Sequence, residues 1–474
     1  MTEVPAPPGP LAVFDLGKTN SKLFVFSPDG VVLDERRTRP EWIEHRGKRV
    51  LDEAALFGWM QDELADAVER HGVTAVTVSG HGCTFALVRG KDRLQHPILD
   101  YEQEIPAAIA AGIDPILPDF SESYAPRLPL GLCMARHLFW LEREEPQAFA
   151  EADAILCYPQ YWIWRFTGRQ MGEYSYLGAH TQLWAPFRRT YSSLVERLGW
   201  RPKFPPLVPA GSVVGEIDVA LADGGWRRVA VHNGVHDSNA ALAYYRMSGL
   251  DGFTLVSTGT WVILINLACP LEALDGERDM ICNVTVDGEA APSMRFMGGR
   301  EYDLISGGWS EPVRQAAVER IVACGVFALP SWAAGGPYPE TRGSIVGGEA
   351  QGEERAAVAV LYVLLMTDLC LDLMHSAGKV VIDGGLARID PYTTMLAQLR
   401  PAQAILRSAV SEGSATGAAA LAFKALGLSP FRDETQAVAA SRIDGLEAYR
   451  DRWRELADRA RAAARAGESA GEGR

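Results

Sequence analysis

The chain is short of paired cysteines, of long apolar runs and of positive charge, and each shortage excludes something. Seven cysteines stand at 83, 133, 157, 269, 282, 324 and 370 with no Cys-x-x-Cys pair. Such an odd, dispersed set is unlike a disulfide framework or a zinc site, and most of it reads as small buried hydrophobes. No uninterrupted apolar stretch reaches the roughly 18 residues of a membrane span. The segment Met1–Pro10 is proline-rich and lacks a basic region followed by an apolar core, so it does not read as a signal peptide. Forty-six basic residues face 60 acidic ones, a formal charge of −14, which argues against a nucleic-acid partner and against an anionic membrane. A nucleotide site survives that argument, because backbone N–H groups and a bound cation supply local positive potential. Three sequence signatures are missing as well: the G-x-x-x-x-G-K-[ST] phosphate loop, a dinucleotide fingerprint after the first strand, and the G-x-S-x-G nucleophile elbow. A cytoplasmic protein is expected.

What is present is an ordinary globular mixture, 47% hydrophobic and 22% charged over 474 residues, enough for two or three domains each with its own core. The chain opens with three short strands, Leu11–Asp15, Lys22–Ser27 and Val31–Arg37. They are joined by the tight loop Gly17-Lys18-Thr19-Asn20-Ser21 and by a Pro28-Asp29-Gly30 turn. A helical pattern over Leu51–His71 precedes the β-branched strand Val73–Ser79. That strand closes on Gly80-His81-Gly82-Cys83, glycines at the place where open α/β sheets put ligands. The acidic segment Leu99–Glu104 follows, then a loop-rich stretch over 105–130. Helices are expected near Leu132–Glu145 and Pro159–Thr167, the second with Tyr161, Trp162 and Trp164 as core rather than a sugar platform.

Near the middle, a strand over Val229–His232 leads through a glycine-containing turn into an Ala-rich helix that starts at His236 and Asp237. On its own, Asp237 has two readings: a helix N-cap, or a carboxylate that takes the proton of a substrate hydroxyl. A linker around Tyr245–Gly252 divides the chain into residues 1–247 and 248–474. The second half restarts like the first: strand Phe253–Ser257, tight loop Thr258-Gly259-Thr260, returning strand Trp261–Leu267. Asp15-Leu16-Gly17-Lys18-Thr19 beside Ser257-Thr258-Gly259-Thr260 suggests one duplicated hairpin. A long helix over Ala356–His375 precedes a strand, Lys379–Asp383, that runs into Gly384-Gly385-Leu386-Ala387. Further helices are expected over Pro391–Leu399, with Pro in its first turn, over the Gly/Ala-rich Gly413–Leu426, which should pack tightly on a sheet, and over Glu434–Arg465. An unstructured tail should follow.

Two hairpin loops rich in Gly, Thr, Ser and Asn, a strand-Gly-Gly-helix segment and a central His-Asp occur here in a fixed order. In that order the chain resembles the FGGY carbohydrate kinases of the actin/hexokinase/Hsp70 superfamily over nearly its whole length. The resemblance implies an α/β fold of two actin-like (ribonuclease H-like) domains, each a mixed sheet flanked by helices, facing across a catalytic cleft. It implies ATP and Mg²⁺ as cofactors and a sugar or polyol as acceptor; the acidic charge leaves no nucleic-acid or membrane partner expected, and a homodimer is allowed. By this resemblance Asp237 is the general base. Asp15, with Asp237, organises the metal. Gly17, Lys18, Thr19 and Asn20, and Thr258, Gly259 and Thr260, hold phosphates. Gly384, Gly385 and Leu386 receive the adenosine, and His81, Gly82, Asp100, Glu102, His236 and Asp237 meet the sugar.

Three departures qualify the likeness. The Trp-x-Asp-x-Arg sugar segment of many relatives is replaced by Leu99-Asp100-Tyr101-Glu102-Gln103-Glu104. Lys18 stands where several relatives have Thr or a small residue. Gly385 is followed by Leu-Ala-Arg-Ile-Asp, without the downstream Gln-x-x-Ala-Asp pattern. They point to a divergent branch, towards the rhamnulose- and fuculose-type kinases. The rival readings are a superfamily ATPase switch, which would need no base aimed at a sugar, and a sugar-binding regulator, which would carry an added DNA-binding module. Neither a client-binding region nor such a module is visible.

Overall fold

The computed structural model describes residues 9–471 apart from Pro129 and Ser411. The chain forms two compact units: residues 9–250 with Cys282–Ala290 and Glu412–Asp433 make the first, and Asp251–Ile281, residues 291–410 and the chain from Glu434 make the second. The first unit thus takes back two later segments that a division by chain order assigns to the second.

The first unit is built on a seven-stranded sheet. Its path runs Val213–Ala220, Trp226–His232, Ala75–Gly80, Leu11–Leu16, Ser21–Phe26, Val32–Thr38, and Val235–His236 pairs with Ala75–Gly80 off that path. Leu11–Leu16 is its central strand, parallel to Ala75–Gly80 with Asp15 level with Ser79 and antiparallel to Ser21–Phe26 with Asp15 level with Lys22. A strand covered on both faces reads as a continuous apolar run. Leu-Ala-Val-Phe-Asp-Leu does so except at Asp15, the one residue of the six that is not fully buried. Val235 and His236 pair in parallel with Ser79 and Gly80. The carboxyl ends of three neighbouring parallel strands therefore deliver Asp15, the Gly80–Gly82 loop and the His236–Asp237 helix start to one edge of the sheet.

Helix Glu53–His71 covers one face, capped by Asp52 Oδ1, which accepts from Ala55 N at 3.0 Å, and stopped by Gly72 in the left-handed conformation. The Gly413–Ala425 helix lies on the other face. Its Ala415, Ala418, Ala419 and Ala422 share a core with Leu11, Val13, Phe24 and Ala75 of the strands and with Ala240 and Ala243 of helix Asp237–Met247. Its small residues thus serve the sheet, as expected, and also let two helix backbones approach closely. A Cβ at Gly417 would fall 1.9 Å from the Ala240 carbonyl oxygen.

The second unit repeats the hairpin. Phe253–Thr258 runs antiparallel to Val262–Ile265 and parallel to Lys379–Gly384, with Ser257 level with Asp383, the same local pairing that Leu11–Leu16 has with its neighbours. The likeness of the two hairpin sequences is therefore one of topology. Helix Glu353–Leu373 is long and apolar enough to cross a membrane by length and composition, yet 89% of its most apolar stretch is buried in the protein, as in a core helix that is apolar on all sides.

Some expectations are corrected. The last helix is Leu446–Gly471 rather than Glu434–Arg465. Gln436–Ala437 pairs as a strand with Leu406 and Arg407, and Gly445 at φ +79° separates it from the helix. The expected unstructured tail is helical as far as Gly471; residues 472–474, like residues 1–8 of the proline-rich start, lie outside the described residues. The 105–130 stretch contains short helices at Ala107–Ile113 and Phe120–Ser123. Of the seven cysteines, six are buried and Cys324 is exposed.

Candidate active site

At the sheet edge of the first unit, Asp15 is held in a setting that resists its charge. Burial first, and then the negative charge of Asp237, push its carboxyl from the ordinary 3.8 up to about 7. Lys22, level with it on the next strand, works against that rise. Its Nζ is also committed to Glu412 Oε2 at 2.7 Å, so the cation there is already partnered.

Asp237 is the first residue of its helix. The N-cap is His236, which makes no side-chain capping bond, and the reading of Asp237 as a plain cap is set aside. Asp237 Oδ1 accepts from Ser238 N at 2.6 Å and from Ser238 Oγ at 3.2 Å. Oδ2 accepts no hydrogen bond among the described residues. The Asp237 side chain is 31% exposed against 7% for its neighbour His236, whose Nε2 lies 3.4 Å from Asp237 Oδ1. Asn239 Nδ2 donates to His236 Nδ1 at 3.0 Å and to Ser175 O at 3.2 Å. Burial lowers the His236 pKa, so the ring is neutral with its proton on Nε2, directed to Asp237. Gly82 makes room for this ring: a Cβ there would come within 2.9 Å of His236 Nε2.

His81 lies against Tyr158, with centroids 4.5 Å apart, and near Tyr101, at 5.4 Å. Its Nδ1 faces Gly82 O at 2.9 Å, which makes Nδ1 the protonated nitrogen. Nε2 is buried and has no hydrogen-bond partner among the described residues. Burial lowers the His81 pKa to about 4. A neutral ring with an unused acceptor nitrogen suits a substrate hydroxyl, since an unpaired buried polar atom costs roughly 1–3 kcal/mol until something binds it.

Asp100 and Glu102 are placed by a hairpin that the sequence reading did not identify, Trp42–His45 with Lys48–Leu51. Its turn residues Arg46 and Gly47 both have positive φ, 50° and 74°, as a type I′ turn requires, with only the glycine matching the usual sequence signal. Asp100 N donates to Arg49 O at 2.9 Å. The Asp100 carboxylate is fully buried, accepts from Lys18 Nζ, and lies 3.3 Å from Arg49 Nη1. Glu102 is half-exposed, with an oxygen 3.6 Å from Lys18 Nζ. Lys18, expected to reach phosphate, instead directs its ammonium to these carboxylates and over the rings of Trp42 at 4.0 Å and Tyr101 at 4.6 Å.

The rest of the first loop is open. Gly17 N donates to Asn20 O at 3.0 Å, a turn in which a Cβ at Gly17 would meet Asn20 O at 2.8 Å, and Thr19 and Asn20 are exposed. In the second unit, Thr258 Oγ1 donates to Asp383 O at 2.5 Å and accepts from Leu386 N at 3.0 Å. That hydroxyl ties the loop to the glycine segment, while Gly259 and Thr260 are exposed. Gly384 adopts φ +87°, and a Cβ there would meet Thr258 O at 1.9 Å; nothing lies within 4 Å of a Cβ at Gly385. Leu386 is buried. Sequence reasoning missed Gly298 and Gly299, which start helix Gly298–Ser306 against the second loop: a Cβ at Gly299 would fall 2.2 Å from Gly259 O. It also missed Trp42, Tyr101 and Tyr158 as walls, and Glu412, which reaches Lys22 from 390 positions away.

Residues 11–243 match the N-terminal domain of the FGGY family of carbohydrate kinases, and residues 251–430 match the C-terminal domain of carbohydrate kinase FGGY. The chain belongs to this family. A solved carbohydrate kinase from Novosphingobium aromaticivorans is 34% identical, with 96% of this chain and 100% of that one covered at a TM-score of 0.85. A ligand-bound xylulose kinase from Lactobacillus acidophilus shares the fold, at 15% identity and a TM-score of 0.77 over 96% of this chain and 98% of that one. A glycerol kinase from Alkalilimnicola ehrlichii is 23% identical over 96% of this chain and 98% of its own. This FGGY carbohydrate kinase is therefore a phosphotransferase of two α/β units, and the switch and regulator readings are not favoured.

Proposed function

We propose that this kinase transfers the terminal phosphoryl group of ATP to a hydroxyl of a ketose, a deoxyketose or a related polyol, with Asp237 as general base. The observation that carries the reading is the state of Asp237. One oxygen is fixed by Ser238 and faced by His236, and the other accepts no hydrogen bond among the described residues. The acceptor O–H gives its proton to that oxygen, the acceptor oxygen attacks the terminal phosphorus, and ADP leaves with the electrons of the broken P–O bond. His81 Nε2 and the wall at Tyr158 would take acceptor hydroxyls, with Gly82, His236 and Glu102 beside them. Gly17, Thr19 and Asn20 would hold phosphate oxygens through backbone N–H and side-chain groups, as would Gly259 and Thr260; Gly384, Gly385 and Leu386 would receive the adenosine.

Mg²⁺ binds through one or two carboxylates together with substrate phosphates, and a strained carboxyl at Asp15 beside the charge of Asp237 fits that need. Bound there, the ion would supply charge neutralisation on the phosphates.

The test is ADP release with Mg·ATP against a panel of ketoses, deoxyketoses, aldoses and polyols. Stimulation by one or two acceptors is expected, with Asp237→Asn reducing kcat by about 10²–10⁴-fold while ADP binding and the melting temperature stay near wild type. Turnover by Asp237→Asn at the wild-type rate would remove the mechanism. Hydrolysis that ignores every acceptor would remove the kinase assignment to this sugar class.

A further inference from the structure

Lys18 belongs by position to the first hairpin loop and by contact to the acceptor side. Its side chain is 15% exposed and the carboxylate it grips is 0% exposed. The ammonium sits among Asp100, Glu102 and the faces of Trp42 and Tyr101, an arrangement of carboxylates and aromatic rings that satisfies a cation on all sides. Asp100 in turn is fixed from three directions: by Lys18, by Glu102 N donating to Oδ1 at 2.9 Å, and by Arg49 at 3.3 Å from Oδ2. Lys18 and Arg49 balance Asp100 and Glu102, so the cluster carries no spare charge. One wall of the cluster is Tyr101, whose ring adjoins His81, the residue with the unused acceptor nitrogen.

We propose that Lys18 is a positioning residue rather than a phosphate ligand. It latches the Gly17–Asn20 loop onto the Leu99–Glu104 segment and, through Tyr101, sets His81 for the acceptor. Asp100 is then the latch's buried counter-ion and does not itself touch the sugar. This inference rests on the kinase reading above and deepens it. Breaking one side of a buried pair strands the other charge, whereas removing both sides does not; the methionine that replaces Lys18 can lie between the two rings.

The experiment is a double-mutant cycle of Lys18→Met, Asp100→Asn and the double variant, read by acceptor KM, kcat, ADP affinity by calorimetry, and melting temperature. Each single variant should raise acceptor KM roughly tenfold or more and lower the melting temperature by roughly 5 °C. The double variant should be no worse than either single in both readouts, with ADP affinity within about twofold throughout, whereas loss of a charged hydrogen bond to phosphate would weaken ADP by about tenfold or more. Loss of ADP affinity in Lys18→Met but not in Asp100→Asn would make Lys18 a phosphate ligand and overturn the proposal. Acceptor KM effects that multiply in the double variant would make Asp100 a direct sugar contact and also overturn it. If the wild type turns over no acceptor the kinase reading fails, and the melting cycle alone decides the latch: no coupling between the two positions refutes it.

Discussion

Replacing Asp15 by Asn gives the sharpest test of how this site is charged. Asp15 titrates in the folded protein at about 7 against 3.8 ordinarily. Between those values the native state holds a proton that the unfolded chain has lost, so stability falls as pH rises through the window and levels off above it. At about 1.36 kcal/mol per pH unit, that rise makes ionised Asp15 cost about 4 kcal/mol at pH 8, but only about 2 kcal/mol at pH 5. Asn removes the charge and keeps the size. Its advantage over wild type should therefore grow by about 2–3 kcal/mol between pH 5 and pH 8, whatever constant offset comes from the changed contacts of the amide. Urea unfolding of both proteins at half-unit pH intervals measures this directly. Because Asp237 is the second cause of the rise, the growth should shrink in an Asp237→Asn background. A stability difference that is flat from pH 5 to 8 would refute the claim that Asp15 is a strained carboxyl.

Two backbone predictions follow from glycines that have no room to change. Gly417→Ala would drive a methyl into the Ala240 carbonyl from 1.9 Å, three residues from the start of the helix that carries Asp237; overpacking should cost about 1–3 kcal/mol. Displacement of the base should lower kcat by roughly 10–100-fold with little change in ADP affinity, checked by steady-state kinetics and calorimetry. Gly384→Ala combines a left-handed φ of +87° with a 1.9 Å collision at Thr258 O. It should lower the melting temperature by several degrees and weaken ADP binding at least about tenfold. Unchanged ADP affinity in a folded Gly384→Ala protein would remove that segment from the nucleotide site.

What could be read from the chain was what repeats or stands alone in it. The central strand, the two hairpins and the Asp237 helix start were legible because apolar runs end there on Gly, Thr and Asp, with few other ways to fold. The Trp42–Leu51 hairpin was legible in principle, through Gly47 between two short strands, but Trp42–His45 is partly exposed and both strands carry charged residues, so the apolar pattern was faint. Helix Glu434–Arg465 was over-extended because Ala and charged residues between strand and helix mimic helical composition, and only Gly445 marks the break. Contacts across hundreds of positions, such as Lys22 with Glu412, leave no local trace at all.

The fate of Lys18 shows why a motif position does not fix a side chain's task. A lysine in a phosphate loop of a family kinase invites the reading of a phosphate contact, and the backbone around it supports that reading: Gly17 turns tightly and Thr19 and Asn20 are open. The side chain nonetheless extends to where its charge is best satisfied. In a chain of formal charge −14, that is beside a fully buried carboxylate whose desolvation would otherwise stand uncompensated. The segment Leu99–Glu104 contains no arginine, and Lys18 and Arg49, from two separate hairpins, stand at the Asp100 carboxylate. Any relative that carries a small residue at the Lys18 position should need another cation, or a neutral residue, where Asp100 stands.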